Sequence, residues 1–120
     1  MNGKGTATVP GLTTIPASVS PTAITTVLRG QLHFNGLVIT DSLSATALHA
    51  AGYSVPKATV AALAAGADMI LFTANDTATT TRQIVQAVTA AVADGQLARP
   101  RLEDAVGHIL AAKNIDLCRP

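Results

Sequence analysis

Only two stretches of this chain read as buried strands, Leu37-Val38-Ile39-Thr40 and Asp68-Met69-Ile70-Leu71-Phe72. Each is a short apolar run with turn residues on both sides, the pattern of a strand buried on two faces. Helical patterns lie between and around them. Strands that alternate with helices imply an α/β fold with a parallel sheet and crossover connections. Two parallel strands cannot close a barrel or cover both of their own faces. The chain is therefore expected to be the C-terminal portion of a larger α/β domain.

The first run ends on a carboxylate, in the order Gly36-Leu37-Val38-Ile39-Thr40-Asp41. In parallel α/β architectures, ligands and catalytic groups gather at the C-terminal ends of strands. Asp41 is thus the leading candidate for chemistry. A plain loop or capping carboxylate is the competing reading.

The helices have readable ends. Ser20-Pro21 gives a Ser cap with Pro at the first helical position. Ile24, Val27, Leu28 and Leu32 then form an apolar stripe, and Asn35-Gly36 is expected to stop that helix. Residues 1–19 are rich in Gly, Pro, Thr and Ser and read as loop. Ser42 to Gly52 reads as loop with a helical turn near Ala45 to His49. Ser54 and Pro56 open a second helix that Gly66 ends. Asp76 or Thr77 caps a third, with Ile84, Val85, Val88 and Val92 on its inner face, and Gly95 ends it. A last helix starts near Pro100 and carries Leu102, Val106, Ile109 and Leu110.

Composition narrows the classes. At 120 residues one domain is the ceiling. Net charge is +1 and aromatics are 2%, with no basic block, which argues against a nucleic-acid surface. No apolar run is long enough to span a bilayer. The single cysteine, Cys118, makes no internal disulfide, and no zinc-like Cys/His spacing exists. The Ala-rich run from Ala58 to Ala67 fits close packing onto a sheet.

The stretch from Val27 to Ser44, Val27-Leu28-Arg29-Gly30-Gln31-Leu32-His33-Phe34-Asn35-Gly36-Leu37-Val38-Ile39-Thr40-Asp41-Ser42-Leu43-Ser44, resembles the active-site signature of glycoside hydrolase family 3. That signature has two aliphatics, a basic residue, a polar residue two further on, and later Gly with three apolar residues. Ser or Thr, a nucleophilic Asp and a small residue three positions on complete it. The flanks agree. Ile15-Pro16-Ala17-Ser18-Val19-Ser20 is similar to the family's Pro-Ala-Ser-Leu-Ser segment, and Ala64-Ala65-Gly66-Ala67-Asp68-Met69 to its Ala-Gly-Ala-Asp-Met segment. The likeness extends over roughly residues 7 to 114.

The resemblance implies that residues 1–120 form a single partial domain, the C-terminal part of a (β/α)8 TIM barrel. Residues 1–19 would be the loop after a preceding strand, and residues 20–120 the last two to three β/α units. It implies a retaining glycoside hydrolase with Asp41 as nucleophile and with no cofactor or metal. Such a carboxylate attacks the anomeric carbon and forms a glycosyl-enzyme ester that water later opens.

Because the chain ends soon after its last helix, the single-domain β-N-acetylhexosaminidase branch is favoured over β-glucosidase-like members. The implied partner is a glycan bearing terminal β-linked N-acetylglucosamine, muropeptides included. The family's Lys-His-Phe-Pro-Gly segment and its acid/base His loop have no counterpart here. Ser42 also stands where a second Asp is common. A catalytically silent fragment is therefore the rival expectation, since loss of an acid/base alone removes about 10²–10⁴-fold of rate.

Lesser candidates stand beside Asp41. Asp76 follows the second strand at the same end, as a helix cap or a sugar ligand. His49 lies after Asp41, as an exposed loop residue or a substrate contact. Thr40 either orients Asp41 or fills space. Asp68, at the opposite end, and Arg29 read as supports of the fold. His33 and His108 read as helical residues at or near the surface. Uncovered strand edges are expected to promote self-association. Localisation stays open between bacterial cytoplasm and envelope.

Overall fold

The computed structural model describes residues 6–7 and 15–119. Its centre is a parallel pair of short strands, β3 (Ile39–Ser42) and β4 (Met69–Leu71). Between them run α1 (Thr46–Ala50) and α2 (Val55–Ala65). After β4 come α3 (Thr77–Asp94) and α4 (Arg99–Ala112). Strand, helix and parallel strand in this order make an α/β unit.

The N-terminal part differs from its reading as a loop. Thr6–Ala7 (β1) pairs antiparallel with Ile15–Pro16 (β2), followed by a 3-10 turn over Ala17–Val19. Most of the expected loop, 1–5 and 8–14, lies outside the described residues. The next helix starts where expected, the Ser20 hydroxyl accepting from the Ala23 N–H at 3.1 Å. It then winds as a π-helix over Thr22–Gln31, closing with Leu32 N–H to Val27 O at 2.9 Å. Thr22, Ile24, Thr25, Thr26 and Val27 are β-branched and weak α-helix formers. The helix ends at Gln31, short of Asn35-Gly36, and His33 takes φ 57°. Its apolar stripe is only partly used: Ile24 is buried, whereas Leu32 is 67% exposed.

The first strand is shifted two residues along the chain from Leu37–Thr40. Gly36 and Val38 are engaged before the ladder begins. The Gly36 carbonyl accepts from Arg29, and Val38 bonds to Asp68 through both its N–H and its C=O. The ladder starts only at Ile39, opposite Met69, and closes with Ser42 opposite Leu71. Three steps on β3 therefore face two on β4, a bulge with one extra residue. The buried Thr40 hydroxyl accepts the Leu71 N–H at 3.2 Å, so the bulge leaves that donor satisfied. Asp41 consequently sits inside the strand.

Packing forms two clusters on either side of α2. Ala58, Ala62 and Ala65 meet Val19, Ile24, Leu43, Leu48 and Ala67 on one side. Leu63 meets Ala91, Leu97 and Ala105 on the other. Small alanines let the helix approach the strands closely, which accounts for the Ala-rich run. The caps are as read from sequence. Ser54 accepts from the Lys57 N–H at the start of α2, and Asp76 from the Thr79 N–H at the start of α3. Gly95 ends α3 at φ 86°. Val85, expected on the inner face of α3, is 58% exposed, while Ile84 takes the buried position.

Candidate functional site

The C-terminal ends of β3 and β4 are tied into one rigid edge. Leu43, buried at 1% exposure, donates its N–H to Leu71 O at 2.8 Å. One turn on, the Ser44 hydroxyl donates to Thr73 O at 2.7 Å and accepts from Thr73 N–H at 3.0 Å. Both post-strand loops are thus clasped by a single small side chain.

Asp41 stands just before this clasp, between buried Thr40 and half-buried Ser42. Its carboxylate is exposed, and Oδ1 accepts from the Ser42 N–H at 2.8 Å. An exposed carboxylate on a pinned strand can act as an acceptor, a base or a nucleophile. Among the described residues Thr40 makes no side-chain hydrogen bond to Asp41; its hydroxyl accepts from the Leu71 N–H.

The other two sequence candidates occupy the same end of the sheet without joining Asp41. Asp76 is exposed and spends both oxygens on the first turn of α3, Oδ1 with the Thr79 N–H at 3.1 Å and Oδ2 with the Thr79 hydroxyl at 2.7 Å. The Thr79 hydroxyl, then the Thr79 and Ala78 N–H groups, hold its pKa below the usual carboxylate range. His49 is exposed in the last turn of α1. Among the described residues no hydrogen bond links Asp41, Asp76 and His49.

The opposite end of the sheet holds the densest polar cluster. The Asp68 side chain is fully buried. Oδ2 accepts from Val38 N–H at 2.9 Å and Arg29 Nη2 at 2.6 Å. Oδ1 accepts from Arg101 Nη2 at 2.5 Å and lies 3.0 Å from His108 Nδ1. Arg101 also reaches Asp104, Leu63 O and Ala67 O. Arg29 likewise binds Gly66 O through Nε and Nη2. Burial pushes the Asp68 carboxyl up, but Val38, Arg101, His108 and Arg29 together outweigh it and hold it below the ordinary value.

Asp68, Asp104 and His108 lie close enough to share a metal ion. Two guanidinium groups already occupy Asp68, and Arg101 bridges it to Asp104. A divalent cation would have to displace them, so the donor set fits an internal ion cluster better than a metal centre. Reading Asp68 and Arg29 as fold supports agrees with this arrangement. The sequence offers no motif for Arg101 and reads His108 as a helical residue at or near the surface, whereas the structure brings both onto Asp68. Their spacing with Asp104 was the available signal, since residues 101, 104 and 108 share one face of a helix.

Comparison with known proteins places these features in a family. The profile described as "Glycosyl hydrolase family 3 N terminal domain" matches residues 4–112. A β-N-acetylglucosaminidase/β-glucosidase of Cellulomonas fimi is 35% identical over 102 residues, covering 82% of this chain and 16% of that protein. A β-hexosaminidase of Stenotrophomonas maltophilia is 45% identical over 56 residues, 47% of this chain and 16% of its own. The solved structure of a family 3 β-N-acetylglucosaminidase from a Paenibacillus species superposes with TM-score 0.73 at 34% identity, over 83% of this chain and 18% of that one. The chain thus spans about a sixth of the length of the curated relatives it matches. With its signature stretch, its α/β unit and a profile match over nearly its whole length, the chain belongs to glycosyl hydrolase family 3, within the N-terminal domain of that family.

Proposed function

We propose that this chain carries the nucleophile of a retaining glycoside hydrolase acting on terminal β-linked N-acetylglucosamine, and that Asp41 is that nucleophile. The observation that carries the reading is the exposed Asp41 carboxylate on a strand pinned by Leu43 and the Ser44–Thr73 clasp. A nucleophile needs a fixed approach to the anomeric carbon, and position errors of about 1 Å are costly.

In the proposed reaction one Asp41 oxygen bonds to the anomeric carbon as the glycosidic bond breaks, and the leaving oxygen takes a proton from an acid. Water then attacks the glycosyl ester with help from the conjugate base, and Asp41 departs as carboxylate. The acid/base is not assigned to a residue of this chain.

The sugar preference rests on relatives named for β-N-acetylglucosaminidase and β-hexosaminidase activity. Muropeptides are a natural carrier of that sugar. The Cellulomonas relative is also named for β-glucosidase activity, so an aryl β-glucoside belongs in the test.

The proposed architecture is the last β/α units of a (β/α)8 barrel, spanning residues 20–120. Ile39 and Leu71, 53% and 49% exposed on the strands, support further strands beside them.

A silent chain is the second reading. It is favoured by Asp76, the other carboxylate at this end of the sheet, spending both oxygens on the first turn of α3 with its pKa lowered, which leaves it unsuited to protonate a leaving group. The experiment is turnover of an aryl β-N-acetylglucosaminide by the purified chain and by Asp41→Ala. Turnover that Asp41→Ala abolishes supports the nucleophile. Turnover that survives the substitution overturns it, and no turnover in either supports the silent reading.

A further inference from the structure

We propose that Asp68 is a positioning residue that locks the register of β3 and so determines which way Asp41 faces; the catalytic consequence rests on Asp41 being the nucleophile. The two residues lie at opposite ends of the sheet, and the link runs through Val38, three residues before Asp41. Asp68 grips both polar groups of Val38. Its Oδ2 accepts the Val38 N–H at 2.9 Å, and its own N–H donates to Val38 O at 2.8 Å. Arg29 holds the same segment from the other side, donating to Asp68 Oδ2 and to Gly36 O at 2.6 and 3.1 Å.

The ladder alone is a weak register device. It spans four residues against three and contains a bulge. A one-residue slip reverses every side chain on a strand. Here it would carry a carboxylate into the buried place of Thr40 and turn Thr40 outward. The lock at Val38 sets the count before the bulge, and the bulge then delivers Asp41 to the exposed side. Arg101 and His108 complete the other Asp68 oxygen, so the lock is also anchored to α4.

The test uses the full chain and amide hydrogen exchange by NMR. Three amides report β3–β4 register far from Asp68: Leu43 N–H to Leu71 O, Leu71 N–H to Thr40 Oγ1 and Thr73 N–H to Ser44 Oγ. Asp68→Ala removes every acceptor. It is expected to lower protection of these reporters by about tenfold or more beyond any loss in the α3 amides. Asp68→Asn retains one oxygen for the Val38 N–H. It should keep the reporter shifts, with amides of α4 losing more protection than the reporters. Leu97→Ala, a cavity in the α3–α4 cluster, is the control and should loosen those helices first.

The proposal is overturned if the reporters fall in step with α3 in Asp68→Ala, if they fall with α4 in Asp68→Asn, or if Leu97→Ala gives the same pattern. If Asp68→Ala does not fold, the Asn variant decides by itself. These reporters read register whether or not the chain hydrolyses a glycoside. Failure of the nucleophile reading, seen in Asp41→Ala turnover, is therefore a separate result.

Discussion

At the scale of single residues, Asp68 shows how a buried charge is made tolerable. Its two oxygens meet two arginines, one backbone N–H and one imidazole nitrogen, and none of the buried side-chain polar atoms among the described residues lacks a partner. Removing the carboxylate charge would leave Arg29 and Arg101 underpaired in a largely buried site, and Asp68→Asn is expected to cost about 3–5 kcal/mol near neutral pH. The sign of the pH dependence follows from the lowered pKa. The unfolded chain takes up its proton near pH 3.9, before the folded one does, so stability falls as pH drops from about 3.9 through the lower folded value. Urea melts against pH should show the gap between wild type and Asp68→Asn constant above about pH 5 and closing below about 4. Asp41 is the opposite case: an exposed side chain with one bond, from the next N–H.

At the scale of elements, α2 is the hub, and its C-terminus is where three pieces meet. Gly66 ends it at φ 121°, a conformation that L side chains rarely adopt. A Cβ there would lie 2.7 Å from Thr25 Oγ1 and 2.9 Å from Ile24 Cγ2. Thr25 donates to Ala65 O and Arg29 to Gly66 O, so the π-helix is stitched to the end of α2. Gly66→Ala is therefore expected to destabilise by about 2–4 kcal/mol through strain and overpacking. Gly52→Ala, at φ 89° with nothing near its Cβ, should cost clearly less. Paired thermal melts compare the two. The stop at Gly66 was legible because glycine after an apolar helix is a local signal. The π winding was not, because an apolar stripe over ten residues fits either helix type.

At the scale of the whole molecule, the parallel sheet has two strands among the described residues, β3 and β4, and large apolar side chains on them are exposed. Ile39 and Leu71 are about half exposed, and Leu32, Phe34 and Val27 add to the uncovered apolar surface. Edges and faces of this kind template association. The isolated chain is expected to run as oligomers in size-exclusion chromatography with light scattering, and Leu71→Lys should shift it toward monomer. A compact monomer at high concentration for both forms would contradict that expectation.

Local signals carried a good share of this protein. Caps at Ser20, Ser54 and Asp76, stops at Gly66 and Gly95, two apolar strand runs and the carboxylate after one of them were all legible, because each depends on a few neighbouring residues. The signature around Asp41 was legible for the same reason. Tertiary structure alone decided the two-residue shift of β3, the bulge that holds Thr40 inward, and the ion cluster on Asp68. Those features join residues some thirty to forty apart in sequence, and no local pattern encodes which donors will converge on a buried carboxylate. Charge pairing across the fold, rather than propensity along the chain, sets where the strand begins and hence how Asp41 is presented.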